Sequence, residues 1–161
     1  MPAPPSGHHR LTYKLLEYMI ASELKRLLGS FKECDVCYLL ADGFTYRPNT
    51  HLKLSKNIDL WIKPSLDNAR RIIRALKIHG TPMHGIQPEK LASAETQFTL
   101  NCSPYLLEFY TYIPGLEFEK SFQSRELQRE GSLFINLLNR SDLALARTSL
   151  SRPPDAEDPD N

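Results

Sequence analysis

The sequence predicts an α/β (α+β) domain, a mixed β-sheet with helices packed against it. Three observations lead there. Apolar residues recur at helical spacing over residues 11–28 and again over 66–76. Alternation of period two runs through 57–62, 96–102 and 105–113. A continuous apolar run, VCYLLA at 36–41, suits a strand buried on both faces.

The elements follow in order. Leu11, Leu15, Leu16, Met19, Ile20, Leu24, Leu27 and Leu28 form one stripe, so an amphipathic N-terminal helix is expected over 11–28, with Gly29 able to stop it. The run at 36–41 is the first strand, with Gly43 just after it. In NIDLWI, Ile58, Leu60 and Ile62 face one way, and Asn57, Asp59 and Trp61 face the other. Pro64-Ser65 opens the next helix, with Ser65 as its N-cap and Leu66, Ala69, Ile72, Ile73 and Leu76 as its buried stripe. His79-Gly80 closes it. Phe98, Leu100 and Cys102 alternate along one strand. Leu106, Glu108, Tyr110 and Tyr112 share a face of the next. ELQREGSLFINLL at 126–138 reads as two strands with a hairpin turn at Glu130-Gly131, and Ser141-Asp142 starts a last short helix.

Composition narrows the function classes. The 161 residues suffice for one domain, and a formal charge of +1 gives no global attraction to nucleic acid or an anionic membrane. No apolar run is long enough to span a bilayer, so no membrane partner is expected. The opening MPAPPSGHHR lacks the apolar region of a signal peptide, and three cysteines are too few for a disulfide scaffold. A reducing cytoplasm is the expected setting. Half of the 12 prolines sit in the two polar ends. That predicts tails at 1–10 and 151–161 around a single domain at 11–150.

This order of elements carries a resemblance. From about Phe31 to Asp158 the chain resembles the small bacterial nucleotidyltransferase-like proteins of the DNA polymerase beta superfamily. Members show a strand ending in Gly-Gly, then an Asp-x-Asp strand fourteen residues on, then a helix that often begins Pro-x-x-x-Asn-Ala. Here YLLADGF stands at the first motif with Gly43 as its second glycine, and counting fourteen from Gly43 reaches Asn57. NIDLWIKPSLDNARRIIRALKIHG follows, the most specific part of the likeness. The family's third carboxylate lies on a later strand, and PYLLEFYT places Glu108 there. SDLALARTSLSRPPD resembles the family's terminal motif, with Arg147 at its lysine and Arg152, Pro153 and Asp155 retained.

The resemblance implies Mg²⁺-dependent transfer of a nucleoside monophosphate from a nucleoside triphosphate to a hydroxyl of a small molecule, RNA or protein. Asn57, Asp59 and Glu108 are then the metal positions, with Asp59 and Glu108 the catalytic carboxylates. Asp42, Gly43, Lys53 and Ser55 are the nucleotide-binding positions. The chemistry needs such a pattern. Residues i and i+2 of a strand share a face, so Asp-x-Asp aims two hard anionic donors at one point, and metals there neutralise the charge that grows on the phosphates. This chain departs from the pattern in three places: Asn57 for the first aspartate, Asp42 for the first glycine, Glu108 for the third aspartate. Together they predict that catalysis is weakened or lost, leaving a degenerate member that serves as a binding or regulatory module. A toxin–antitoxin or defence role fits either state by analogy.

Each signal also has a plainer reading. Asp59 and Glu108 can be solvent-facing strand residues, and Trp61 and Tyr112 can cover the sheet rather than stack on a base. Cys34-x-x-Cys37 is half of a zinc or redox pair without a second half and is expected to bind no metal. Arg70, Arg71, Arg74 and Lys77 read first as a solvated helix face and second as a phosphate or RNA contact.

Overall fold

A computed structural model describes the backbone of residues 7–46, 52–83, 85–103 and 105–149, without the side chains of 7–14, 16–17 and 42–56. Five helices and six strands follow one another as α1 (Gly7–Glu33), β1 (Tyr38–Tyr46), β2 (Leu52–Ile62), α2 (Leu66–His79), α3 (Pro88–Ala92), β3 (Gln97–Asn101), β4 (Leu106–Tyr110), α4 (Phe118–Gln123), β5 (Glu126–Glu130), β6 (Leu133–Leu137) and α5 (Arg140–Ser149). The strands form one mixed sheet in the order β3-β4-β2-β1-β6-β5. β2 runs parallel to β4 and β1 parallel to β6, while the β1–β2, β3–β4 and β5–β6 pairs are antiparallel. The mixed α+β class read from the periodicities is the observed one.

Helices cover both faces of the sheet. On one, Leu24, Leu27, Leu28 and Phe31 of α1 and Ala69, Ile72, Ala75 and Leu76 of α2 pack on Ile58, Leu60, Ile62, Leu107 and Phe109. On the other, Phe118 of α4 and Ala146 of α5 pack on Leu39, Ala41, Trp61 and Tyr110. The alternation in β2 therefore sorts as expected, with Trp61 opposite in sense to Ile58, Leu60 and Ile62.

α2 starts and stops where the sequence predicts. Ser65, in extended backbone, accepts the Asn68 amide on its Oγ at 3.1 Å. Gly80 takes the left-handed conformation (φ 85°) and returns its N–H to Leu76 and Lys77. The hairpin turn is also in place: β5 ends at Glu130 and Gly131 adopts φ 62°. Elsewhere the boundaries differ. α1 runs through Gly29 to Glu33, because Leu27, Leu28 and Phe31 are fully buried around it and outweigh a cost of about 1 kcal/mol for one helical glycine. β1 continues past Gly43 because Phe44, Thr45 and Tyr46 pair with Leu54, Lys53 and Leu52, which also starts β2 earlier than residue 57. α5 starts at Arg140, just before the expected Ser141-Asp142, and Asn139 Oδ1 accepts the Asp142 amide at 2.9 Å. On α1, Leu15 and Met19 of the expected stripe are exposed, Ile20 is the first buried side chain among the described residues, and the side chains of Leu11 and Leu16 lie outside them.

The antiparallel packing of α1 and α2 encloses His79, whose side chain is 7% exposed. Nδ1 lies 2.6 Å from Thr81 Oγ1, and Nε2 approaches Glu23 Oε2 at 3.4 Å. Burial pushes its pKa below the ordinary value, with Arg26 adding to the effect and Glu23 opposing it. A base whose folded pKa is depressed stabilises the fold above its unfolded value of about 6.5. That stability is lost as pH falls toward the folded pKa, because the unfolded chain takes up the proton first. Urea unfolding across this range should show declining stability on acidification, and His79→Gln should flatten the decline. An unchanged profile in the variant would assign the dependence to other groups.

Candidate functional site

The candidate site is a row of residues crossing the sheet. β2 and β4 lie side by side and parallel, with Asn57 opposite Leu106, Asp59 opposite Glu108 and Trp61 opposite Tyr110. On the far side of β4, Thr99 of β3 opposes Glu108. On the far side of β2, Asp42 of β1 opposes Asp59. Directly opposed residues share a sheet face, and neighbouring strands lie about 4.8 Å apart. Asp59 and Glu108 therefore occupy adjacent positions on the face that α4 and α5 cover.

The cover is uneven along β2. Trp61 is 1% exposed under Phe118, the two rings meeting edge to face at 5.3 Å. Asp59 is 0% exposed, and Asn57, one pleat further out, is exposed. The strand thus descends from an open rim at Asn57 to a closed floor at Trp61, with Asp59 between. One plainer reading, that of Asp59, is corrected here, and that of Trp61 as a residue covering the sheet holds. Asp59 does not face solvent, because the second helical layer covers its face. Trp61 is no platform for a base, because Phe118 occupies that position. Tyr112 is exposed.

Glu108 is half-buried, and its Oε2 accepts the Tyr110 hydroxyl at 2.8 Å. Gln97 Nε2 donates in turn to that hydroxyl at 3.4 Å. Tyr110 thereby orients the Glu108 carboxylate along its own strand, a role that alternation alone does not disclose. Asn57, Asp59 and Glu108 each take part in further interactions. A buried carboxylate beside another carboxylate is costly unless a cation or hydrogen-bond donors offset the charge.

The ladder between β1 and β2 is irregular next to this row. The register shifts between Leu40 and Asp42, and again between Asp42 and Phe44, where the partner jumps from Asp59 to Leu54. Residues 55–58 of β2 thus leave the β1 ladder opposite Gly43, and Ser55 and Asn57 lie in that stretch, where Asn57 and Ile58 still pair with Leu106 and Leu107 of β4. Lys53 pairs with Thr45 beyond it. The side chains of Asp42, Lys53 and Ser55 lie outside the described residues, as do Arg152, Pro153 and Asp155. Arg147 is exposed on α5, which packs on the same sheet face as Asp59.

A second feature fixes the floor. Asn68, at the first turn of α2 and 2% exposed, accepts the Cys37 amide on Oδ1 at 2.8 Å. Its Nδ2 donates to the carbonyls of Cys37 and Lys63 at 3.0 and 3.1 Å. One side chain thereby clasps the entry of β1, the exit of β2 and the start of α2, four residues beyond Asp59. Sequence reading named this asparagine only as part of a motif.

Cys34 is buried, Cys37 and Cys102 are half-buried, and all three are free thiols. Among the described residues no group of three or more His, Cys, Asp or Glu side chains is placed to hold a metal ion, and no helix is long and apolar enough to cross a membrane. Compared with protein-family models, curated proteins and solved structures, the chain matches none.

Proposed function

We propose that this chain is a nucleotidyltransferase-superfamily protein with a degraded metal site, acting in the cytoplasm as a nucleotide-binding or regulatory module with weak or no transfer activity. The observation that carries this reading is the placement of Asp59 and Glu108. They stand opposite each other on adjacent parallel strands, on one covered face, while the uncharged Asn57 holds the rim position. Two carboxylates supply hard oxygen donors of the kind Mg²⁺ takes, and an amide adds a donor without charge. That set fits one weakly held ion better than a tightly held pair. When bound, Mg²⁺ would neutralise charge on the triphosphate. The chain's own contribution is to hold the two carboxylates in register, with Tyr110 orienting Glu108. The test is titration of the purified protein with Mg²⁺ and nucleoside triphosphates by calorimetry, followed by incubation with labelled triphosphates. Weak, metal-dependent binding without label transfer is the expected result; rapid transfer to a small molecule, RNA or protein would overturn it.

One observation favours a second reading, an active Mg²⁺-dependent nucleotidyltransferase. Asp42 stands opposite Asp59 across the β1–β2 pair, so a third carboxylate residue joins the row from the other side. In that reading Asp42 takes over the charge that Asn57 lacks.

A further inference from the structure

We propose that the outward face of α2 is a docking surface for the sugar-phosphate backbone of single-stranded RNA. Its inward face, Asn68, Ala69, Ile72, Ala75 and Leu76, is buried. The outward face presents Arg70, Arg71, Arg74 and Lys77, all exposed, against one acid, Asp67. Elsewhere Lys25 pairs with Glu130, Arg26 with Glu23, Lys63 with Glu119 and Lys120 with Glu117. On α2, Arg70 only approaches Asp67, at 4.0 Å, and Arg71 spends one N–H on the Asp35 carbonyl at 3.4 Å. Arg74 and Lys77 have no carboxylate within 4.0 Å among the described residues. A chain with net charge +1 therefore concentrates unbalanced positive charge on one helix face.

The geometry suits a flexible polyanion. At about 1.5 Å rise per residue, Arg70, Arg74 and Lys77 lie about 5 Å apart along the axis and span about 10 Å. Successive phosphates of one strand are separated by a comparable distance, at about 3.4 Å of rise per nucleotide or more when the strand is extended. Guanidinium groups suit phosphate oxygens because their planar fork can bind two at once. A protein partner is less well served, because interfaces bury an apolar centre and this face offers only Leu66 and Ile78 as large exposed apolar groups. The surface lies across the sheet from Asp59 and Glu108, since Ile72, Ala75 and Leu76 pack on the opposite face. RNA held there is tethered to the protein and is not presented to the carboxylate row. The inference is independent of the proposed function.

Fluorescence anisotropy of a short labelled oligouridylate with the full chain, across a salt series, tests this. Three phosphate contacts predict a slope of log affinity against log salt of about −2. The exposed-site variant Arg70→Gln/Arg74→Gln/Lys77→Gln should remove most of that slope and weaken low-salt binding about tenfold or more. The single Arg74→Gln, which places the fold at little risk, should reduce the slope by about 0.7. Lys25→Gln/Lys32→Gln on α1 should leave binding unchanged. The proposal is overturned by absence of low-salt binding, by equal loss in the α1 variant, or by retained binding in the triple variant. Stronger binding of polyglutamate than of RNA at equal charge would also overturn it, in favour of an acidic protein partner.

Discussion

Replacing Asn68 is expected to destabilise the protein by about 3–5 kcal/mol for Asn68→Leu, read from urea unfolding. The side chain is nearly inaccessible and bonds one amide and two carbonyls, those of Cys37 just before β1 and of Lys63 just after β2. Leucine keeps the branched shape but is bulkier, at an overpacking cost of about 1–3 kcal/mol, and leaves the Cys37 N–H without its partner at about 1–3 kcal/mol more, while the carbonyls of Cys37 and Lys63 keep the Lys63 and Ser65 amides. Asn68→Asp separates hydrogen bonding from packing. It keeps the acceptor for Cys37 N–H and turns the donor toward two carbonyls into a second acceptor. At neutral pH it should cost as much as leucine, and the cost should shrink on acidification as protonation restores a donor. A loss under about 1 kcal/mol for the aspartate variant would show that the clasp contributes through shape alone. The effect reaches the candidate site because β2 carries Asp59 toward this anchor.

The sequence was most informative where chemistry and period agree. Residues 57–62 alternate between aliphatic and other side chains, so phase alone put Asp59 and Trp61 on the face opposite Ile58, Leu60 and Ile62, and the two faces are covered by distinct clusters. α2 announced itself through Ser65, its apolar stripe and Gly80. Glu108 could be placed on the same side as Tyr110 by counting, and the pairing of β2 with β4 brought that side next to Asp59. Other features depend on partners distant in sequence. Period two says which face Asp59 takes, not that α4 and α5 will cover it. Asn68 meets Cys37 across 31 residues, a contact no local pattern reports. The Asp42-Gly43 pair reads as the end of a strand, yet the ladder resumes at Phe44 because Leu52 to Leu54 offer it an antiparallel partner. α3 and α4, with 5 and 6 residues, are too short for a helical period to emerge.

The largest functional effect is expected at Asp42 and Asn57. On the proposed reading Asn57 stands where an anionic ligand would be, at a site whose charge neutralisation would contribute roughly several kcal/mol in the transition state, and each 1.4 kcal/mol, roughly, is tenfold in rate. Asp42 adds a negative residue opposite Asp59, beside positions where the resemblance expects a triphosphate. On the proposed reading Asp42 is an obstacle. Asp42→Gly should then tighten triphosphate binding, and Asp42→Gly with Asn57→Asp should tighten metal-dependent binding further, by about tenfold or more if one ligand's share of that stabilisation returns. The register gives the opposite idea a fair test, since Asp42 is placed in the row from which a substitute ligand would act. In that case Asp42→Gly alone should abolish metal binding measured by calorimetry, and Asn57→Asp should restore it. The two outcomes have opposite signs in the same variant. Robust label transfer by the unmodified protein, lost on Asp42→Gly, would replace the degraded site with an active one whose third carboxylate has moved to β1.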